Sequence, residues 1–139
     1  MSERHYPVAS IIRFVKEADG RGLCFGGWQS GILEIYLKWH HQNGSLVLVE
    51  EEGNLVALAI GTKCDEADIN QHWLPWNESG NAMYLSDIVA KTKRGVAACV
   101  AEFASRCKDW REMNLYARRR DKMTVMKTQV FERILERWK

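Results

Sequence analysis

Only two prolines stand among 139 residues, and no segment is low in complexity. These absences exclude a proline-rich spacer or a disordered chain, and 46% hydrophobic with 27% charged residues is the composition of a globular protein. No apolar run approaches the ~18 residues of a membrane span, and Met1 to Tyr6 is polar, unlike a secretory leader. A cytoplasmic protein without membrane contact is expected. The four cysteines, Cys24, Cys64, Cys99 and Cys107, form no C-x-x-C pair. That removes the compact redox and metal motifs and predicts reduced, mostly buried thiols. Nor do His40, His41, Cys64 and His72 have the spacing of zinc ligand pairs.

What is present is enough for one core. A chain of this length buries about two thirds of the surface its unfolded form exposes, so residues 1–139 are expected to form a single domain. The formal charge of +2 is unevenly spread. Residues 1–110 hold 11 basic and 14 acidic side chains, a net of −3, whereas 111–139 hold 9 and 4, a net of +5. The basic end includes Arg118, Arg119 and Arg120, followed by Asp121 and Lys122. Adjacent guanidiniums fork onto phosphate oxygens, which makes nucleic acid or a phosphate-bearing cofactor a candidate contact there. The cluster reads equally as a solvated loop after the last strand.

Periodicity supplies the elements. Ile11 to Ala18 predicts a short helix ended by Asp19-Gly20, and Gly20 to Gly27 a loop. From Gln29 to Gln42 a second helix is predicted, with Ile32, Ile35, Tyr36 and Trp39 on its buried stripe and Leu33 and Leu37 widening it. His40 and His41 fall at its polar end. Ser45 to Glu50 and Leu55 to Thr62 are β-rich runs joined by a turn at Glu51 to Asn54, an antiparallel hairpin. Lys63 to Asn81 is read as a long loop, whose Trp73 and Trp76 either line a pocket or partner surface or lid the sheet edge. A strand around Tyr84 to Val89, a helix from about Lys93 to Cys107, a strand at Met113 to Ala117 and a helix from about Val125 to Trp138 complete the chain. The order predicts a single α/β (α+β) domain: a mixed, mostly antiparallel sheet with one parallel βαβ crossover and helices on both faces. Cys99 and Cys107 share a helix face with Phe103 and read as core.

The stretch Tyr84-Leu85-Ser86-Asp87-Ile88-Val89, with the turn and helix after it, resembles the central strand and cofactor turn of the GNAT superfamily of acyl-coenzyme A dependent N-acyltransferases. The resemblance covers about residues 45–135 and implies a GNAT-like fold, acetyl-CoA or another acyl-CoA as cofactor, and a small-molecule or protein amine as acceptor. The family's R/Q-x-x-G-x-G/A turn can be placed in two registers. Thr92 first puts Gly95 and Ala97 at the small positions; Arg94 first keeps the basic residue but puts Ala97 and Cys99 there. Either way Thr92, Lys93, Arg94, Gly95, Val96 and Ala97 are the implied cofactor-binding residues, through helix-start N–H groups that favour an anion. The same residues also read as a basic turn that only caps a buried helix.

The family's last helix often carries a tyrosine that protonates the departing thiolate; here Phe131 fills that position, and a phenyl ring has no proton to give. Two further strands usual in the family would follow Lys139, so the resemblance implies a truncated relative. Such a sheet edge suggests a homodimer. A carboxylate on the central strand, Asp87, is the candidate base, or else a structural hydrogen-bond acceptor, on the face opposite Ile88. A fainter similarity to toxin-activating lysine acyltransferases would pair His5 with Asp87. The alternative is a non-catalytic scaffold of the same fold, looking like those encoded by phages and mobile elements, whose arginine cluster and exposed tryptophans hold a protein or nucleic-acid partner.

Overall fold

Sequence pattern and backbone agree most closely in the hairpin. In a computed structural model describing residues 8–18, 29–69, 74–119 and 122–138, strands β1 (Leu46–Glu51) and β2 (Asn54–Cys64) pair antiparallel. Glu51 faces Asn54 across a turn whose central residues, Glu52 and Gly53, both have positive φ, 52° and 83°. Two left-handed residues match the right-handed twist of the flanking strands, which is why a two-residue loop suffices. Strand β3 (Ala82–Ala90) pairs antiparallel with β2, and β4 (Asn114–Arg119) runs parallel to β3. The last strand, β5 (Lys122–Met126), is antiparallel to β4, giving a five-stranded mixed sheet in the order β1-β2-β3-β4-β5.

Helices cover both faces, as the element order predicts. Helices α1 (Val8–Ala18) and α2 (Ser30–Gln42) bury Ile11, Phe14, Val15, Leu33, Tyr36 and Leu37 against Leu46, Leu58, Ile60 and Val89. On the other face α3 (Lys93–Arg106) and α4 (Thr128–Trp138) bring Val100, Phe103 and Phe131 onto Val47, Ala57, Ala59, Met83, Leu85 and Leu115. Gly61 makes the Phe103 contact feasible: a Cβ there would lie 2.6 Å from a Leu85 methyl and 2.8 Å from the Phe103 ring. Cys99 and Cys107 belong to this core, as expected. A third cluster, Cys64, Ile69, Leu74, Ala82 and Tyr84, closes the sheet beside β4.

Several expectations need correction. The buried stripe of α2 is Leu33, Tyr36, Leu37 and His40, whereas Ile32 and Ile35 are 52% and 63% exposed. Helical spacing fits either set, both of which hold Tyr36, and the sheet selects the one with Leu33, Leu37 and His40. Arg118, Arg119 and Lys122 do not belong to a loop after the last strand: Arg118 and Arg119 end β4 and Lys122 begins β5. The final helix accordingly starts at Thr128, and Val125 lies in β5. The segment read as a loop from Lys63 is shortened by β2, which continues to Cys64, and by a 3-10 turn at Glu66–Asp68. His5, Trp73, Arg120, Cys24, His72 and the loop 20–27 lie outside the described residues, as does the side chain of Arg119.

Candidate functional site

One inserted residue in β3 sets the surroundings of Asp87, a buried carboxylate. Ile60 is opposite Asp87 and Gly61 is opposite Leu85, so Ser86 is a β-bulge with no partner of its own on β2. Strict alternation would put Asp87 on the face of Met83 and Leu85, in the α3 core. The bulge resets the phase, so that Ile88 and Ala90 continue that face while Asp87 and Val89 turn toward α2. Asp87 is therefore opposite Ile88, as the sequence predicts. The cue to the bulge is the odd spacing in which Met83 and Leu85 are followed by Ile88 and Ala90.

Asp87 is 2% exposed and enclosed by donors. Its Oδ2 accepts from Ser86 Oγ at 2.9 Å and from Tyr36 Oη at 3.3 Å; its Oδ1 meets Arg118 Nη2 at 3.3 Å in an ion pair. Burial pushes the Asp87 pKa up, against the pull of the Arg118 guanidinium and of the hydrogen bonds from Ser86, Arg118 and Tyr36. The Tyr36 hydroxyl is held well above its ordinary value, first by burial and then by the Asp87 charge. Burial works against the Arg118 charge, but Asp87 and the neighbouring tyrosines leave its pKa raised. The two partners shift the same way because the desolvation is unequal: the Asp87 side chain is 2% exposed and that of Arg118 23%. The carboxylate is the strained member of the pair.

The pair sits in a fork. Parallel pairing of β3 with β4 ends at Leu85 and Ala117, although β3 continues to Ala90 and β4 to Arg119. Arg118 and Asp87, each just past the last paired residues, bridge the opening. Beyond Leu85, β3 has β2 on one side and, among the described residues, no strand on the other. Tyr84 and Tyr116 are register partners below the bridge, and Tyr84 is kept protonated by burial, with Arg118 opposing. Tyr116 Oη and Asn114 Nδ2 both donate to Glu66 Oε1. The fork thus contains a compensated ion pair and hydroxyls that retain their protons. It suits neutral hydrogen-bonding groups better than a free charge.

Above the fork, β3 feeds α3. Thr92 caps the helix, its Oγ1 accepting from Gly95 N at 2.9 Å. Gly95 is buried against β2, where a Cβ would lie 3.0 Å from Ala57 Cβ and 3.3 Å from Val56 O. Its smallness and its N–H are therefore both accounted for by the fold. Ala97 is buried and Val96 half-buried, whereas Thr92, Lys93 and Arg94 are exposed at the helix start. The first turn carries no acidic residue. Arg94 Nε lies 3.8 Å from Glu51 Oε1 and Lys91 Nζ 3.7 Å from Glu17 Oε2, so acids from β1 and α1 flank this cationic corner.

The remaining candidates are scattered. Trp76 is half-buried against the α3 core, and its Nε1 donates to Glu78 Oε1 at 2.9 Å. His40 is buried, not at a polar helix end; its Nδ1 lies 2.6 Å from Ser45 Oγ, which itself donates to His40 O. With the serine proton given to the carbonyl, Nδ1 is the donor of that pair. Phe131 is fully buried, 4.5 Å from the Trp110 ring centroid. Burial pushes the thiols of Cys64, Cys99 and Cys107 up to about 11, 12 and 11. Among the described residues no group of His, Cys, Asp and Glu could hold a metal ion, and no helix is long and apolar enough to cross a membrane. Of the sequence candidates, the structure joins Asp87 to Arg118 and leaves Trp76 apart from both. Sequence reasoning missed Tyr36 and Ser86 as partners of Asp87, and the signal for Tyr36 was its place beside Leu33 and Leu37. Comparison with protein-family models and with curated proteins finds no match for this chain.

Proposed function

We propose that this protein is a divergent acyl-coenzyme A dependent acyltransferase that delivers an acyl group to an amine. The observation that carries the reading is the fork between β3 and β4, opening directly below the exposed, basic start of α3. An extended, amide-bearing thiol arm is the kind of ligand that can hydrogen-bond along the open side of β3. Its pyrophosphate would then reach the helix start, with Lys93 and Arg94 as flanking cations. In the transfer, the amine nitrogen attacks the thioester carbonyl, the N–C bond forms and the C–S bond breaks. The thiolate leaves and takes up a proton, and the nitrogen gives one up to solvent.

Within this reading Asp87 is a positioning residue. Its carboxylate is enclosed by Tyr36, Ser86 and Arg118, so it fixes the arginine and the tyrosine at the fork without touching the amine. Phe131 cannot protonate the thiolate.

A thermal melt with excess acetyl-coenzyme A tests the proposal. Ligand at about 100 times its Kd adds about 2.7 kcal/mol, raising the midpoint by roughly 5 to 10 °C for a domain of this size. Arg94→Glu should reduce that shift, and it is a better probe than any change at Gly95, which packs on β2. No shift with acetyl-coenzyme A removes the cofactor reading. One observation favours the second reading, a non-catalytic scaffold: α2 presents Ile32 and Ile35 to solvent, a surface suited to a protein partner.

A further inference from the structure

Strand β1 is one edge of the sheet, and among the described residues no strand pairs with its outer side. Gly61 N donates to Ser45 O at 3.0 Å, so Ser45 and, by alternation, Val47 turn their backbone groups toward β2. Those of Leu46 and Leu48 turn outward. The Leu46 carbonyl agrees, since Arg106 Nη1 approaches it at 3.4 Å while donating to Gly44 O at 2.8 Å. Exposed strand edges are usually blunted by lysine, proline or a bulge. From Leu46 to Val49 this edge has none of these; the register shifts only between Val49 and Glu50.

An open groove follows that edge. One wall is β1, the other is formed by Ala98, Ala101 and Glu102 of α3, and Trp76 and Glu78 also line it. The alanines leave room for a second backbone beside β1. Three carboxylates, Glu50, Glu78 and Glu102, line it against the single guanidinium of Arg106, and Glu102 already holds that guanidinium at 3.1 Å. Glu78 also fixes the Trp76 indole, placing a carboxylate beside an aromatic ring. Ring and carboxylate together are a seat for an ammonium or guanidinium.

We propose that the β1 edge captures an extended peptide segment bearing lysine or arginine, by strand addition. Its backbone pairs with the outward groups of Leu46 and Leu48, and its cation lies at Trp76 and Glu78. A second copy of this chain is a poorer occupant, because a β1-to-β1 pairing would bring two acidic grooves together. The site lies along the edge strand farthest from β4 and β5, so it stands independently of coenzyme A binding.

The test is fluorescence anisotropy with an end-blocked, fluorescein-labelled peptide of alternating lysine and valine. A glutamate/valine peptide of equal length serves as comparison, in 0.15 M salt. The lysine peptide should bind and the glutamate peptide should not. Glu78→Gln should weaken binding by about threefold, the scale of one exposed ion pair. Ala101→Arg fills the groove from the helix side and should abolish binding with the circular dichroism unchanged. Leu48→Pro removes an outward N–H and should also abolish it, and Ala101→Arg answers the question if the proline variant does not fold. Absent or equal binding of the two peptides, or binding that survives Ala101→Arg, overturns the proposal. So does a dimer in sedimentation that Ala101→Arg dissolves, since the occupant would then be a second copy.

Discussion

Removing Arg118 should harm the protein more than removing Asp87, although the two form one ion pair. Arg118→Met leaves a carboxylate 2% exposed with only Ser86 and Tyr36 as donors. Breaking a buried pair in this way costs about 3 to 5 kcal/mol; the partial exposure of Arg118 lowers the expectation to about 2 to 4. At about 2 to 4 °C per kcal/mol, the midpoint should fall by roughly 5 to 15 °C at pH 7. Asp87→Asn removes the buried charge, and the half-buried arginine can turn toward water, so a loss of about 1 to 2 kcal/mol is expected. The two variants should also differ in pH dependence. Asp87 has its folded-state pKa raised, so the folded protein binds a proton more readily than the unfolded chain. Its contribution to stability is then greatest below the unfolded-state value near 3.8 and declines as pH rises through the folded-state value. Arg118→Met takes away an opposing charge and moves the upper end of that window higher, each further unit adding about 1.4 kcal/mol to the loss by neutral pH. Acid should therefore partly rescue Arg118→Met, and Asp87→Asn should lack this component altogether. Urea melts of the wild type, both single variants and the double variant between pH 4 and 8 would measure all of this. Equal, small, pH-independent losses in both single variants would refute the reasoning, because they would mean that water reaches the carboxylate.

Thr92→Ala should cost about 1 kcal/mol, the loss of one N-cap, measured by urea melt with no cofactor present. Gly61→Ala should destabilise by about 1 to 3 kcal/mol, because the new methyl meets Leu85 and the Phe103 ring; pairing it with Phe103→Leu in a double-mutant cycle should recover part of the loss. Cys64, Cys99 and Cys107, with thiols pushed up to about 11, 12 and 11, should resist a thiol reagent at pH 8 in the native state and react on addition of denaturant, as mass spectrometry of the labelled peptides would show.

The elements legible in the sequence were those whose pattern has one physical solution. The hairpin has two β-rich runs and a turn that needs left-handed residues, and only one pairing buries Val47, Ala57 and Ala59 on the same side. The helix after β3 is equally determined: Thr92 caps it, and Val100 and Phe103 fall on one face. Helix α2 was not determined in this sense, because six of its residues are apolar or aromatic and two different stripes satisfy a period of 3.6. Tyr36 belongs to both stripes; the packing of Leu33 and Leu37 against Leu46, Leu58 and Ile60 is what distinguishes them, and within it the Tyr36 hydroxyl reaches the Asp87 carboxylate. Strand β5 was hidden because its charged start, Lys122, continues the arginine run, and the polar character of that run resembled a loop.

The candidate site shows why residue type was a weaker guide than position. Gly95 drew attention as a phosphate-loop glycine, yet the same glycine is required for α3 to approach β2 within van der Waals contact, whatever the protein binds. Arg118 drew attention as one of three adjacent arginines, yet alternation along β4 places it on the face of Tyr116, and the end of pairing at Ala117 brings it to Asp87. Neither placement follows from composition or local spacing. The second follows from the bulge at Ser86 and the fork it accompanies, because the bulge absorbs the extra residue and keeps the carboxylate out of the apolar α3 core, facing the arginine and tyrosine that hold it. Deleting Ser86 should therefore be tolerated nearly as well as replacing it, because Gly61 stays opposite Leu85 and Ile60 opposite Asp87 in strict alternation. Ser86→Ala loses one hydrogen bond, about 1 kcal/mol, and deletion loses the same bond with Asp87 still facing α2, so both variants should fold by circular dichroism; an unfolded deletion variant would refute this reading of the bulge.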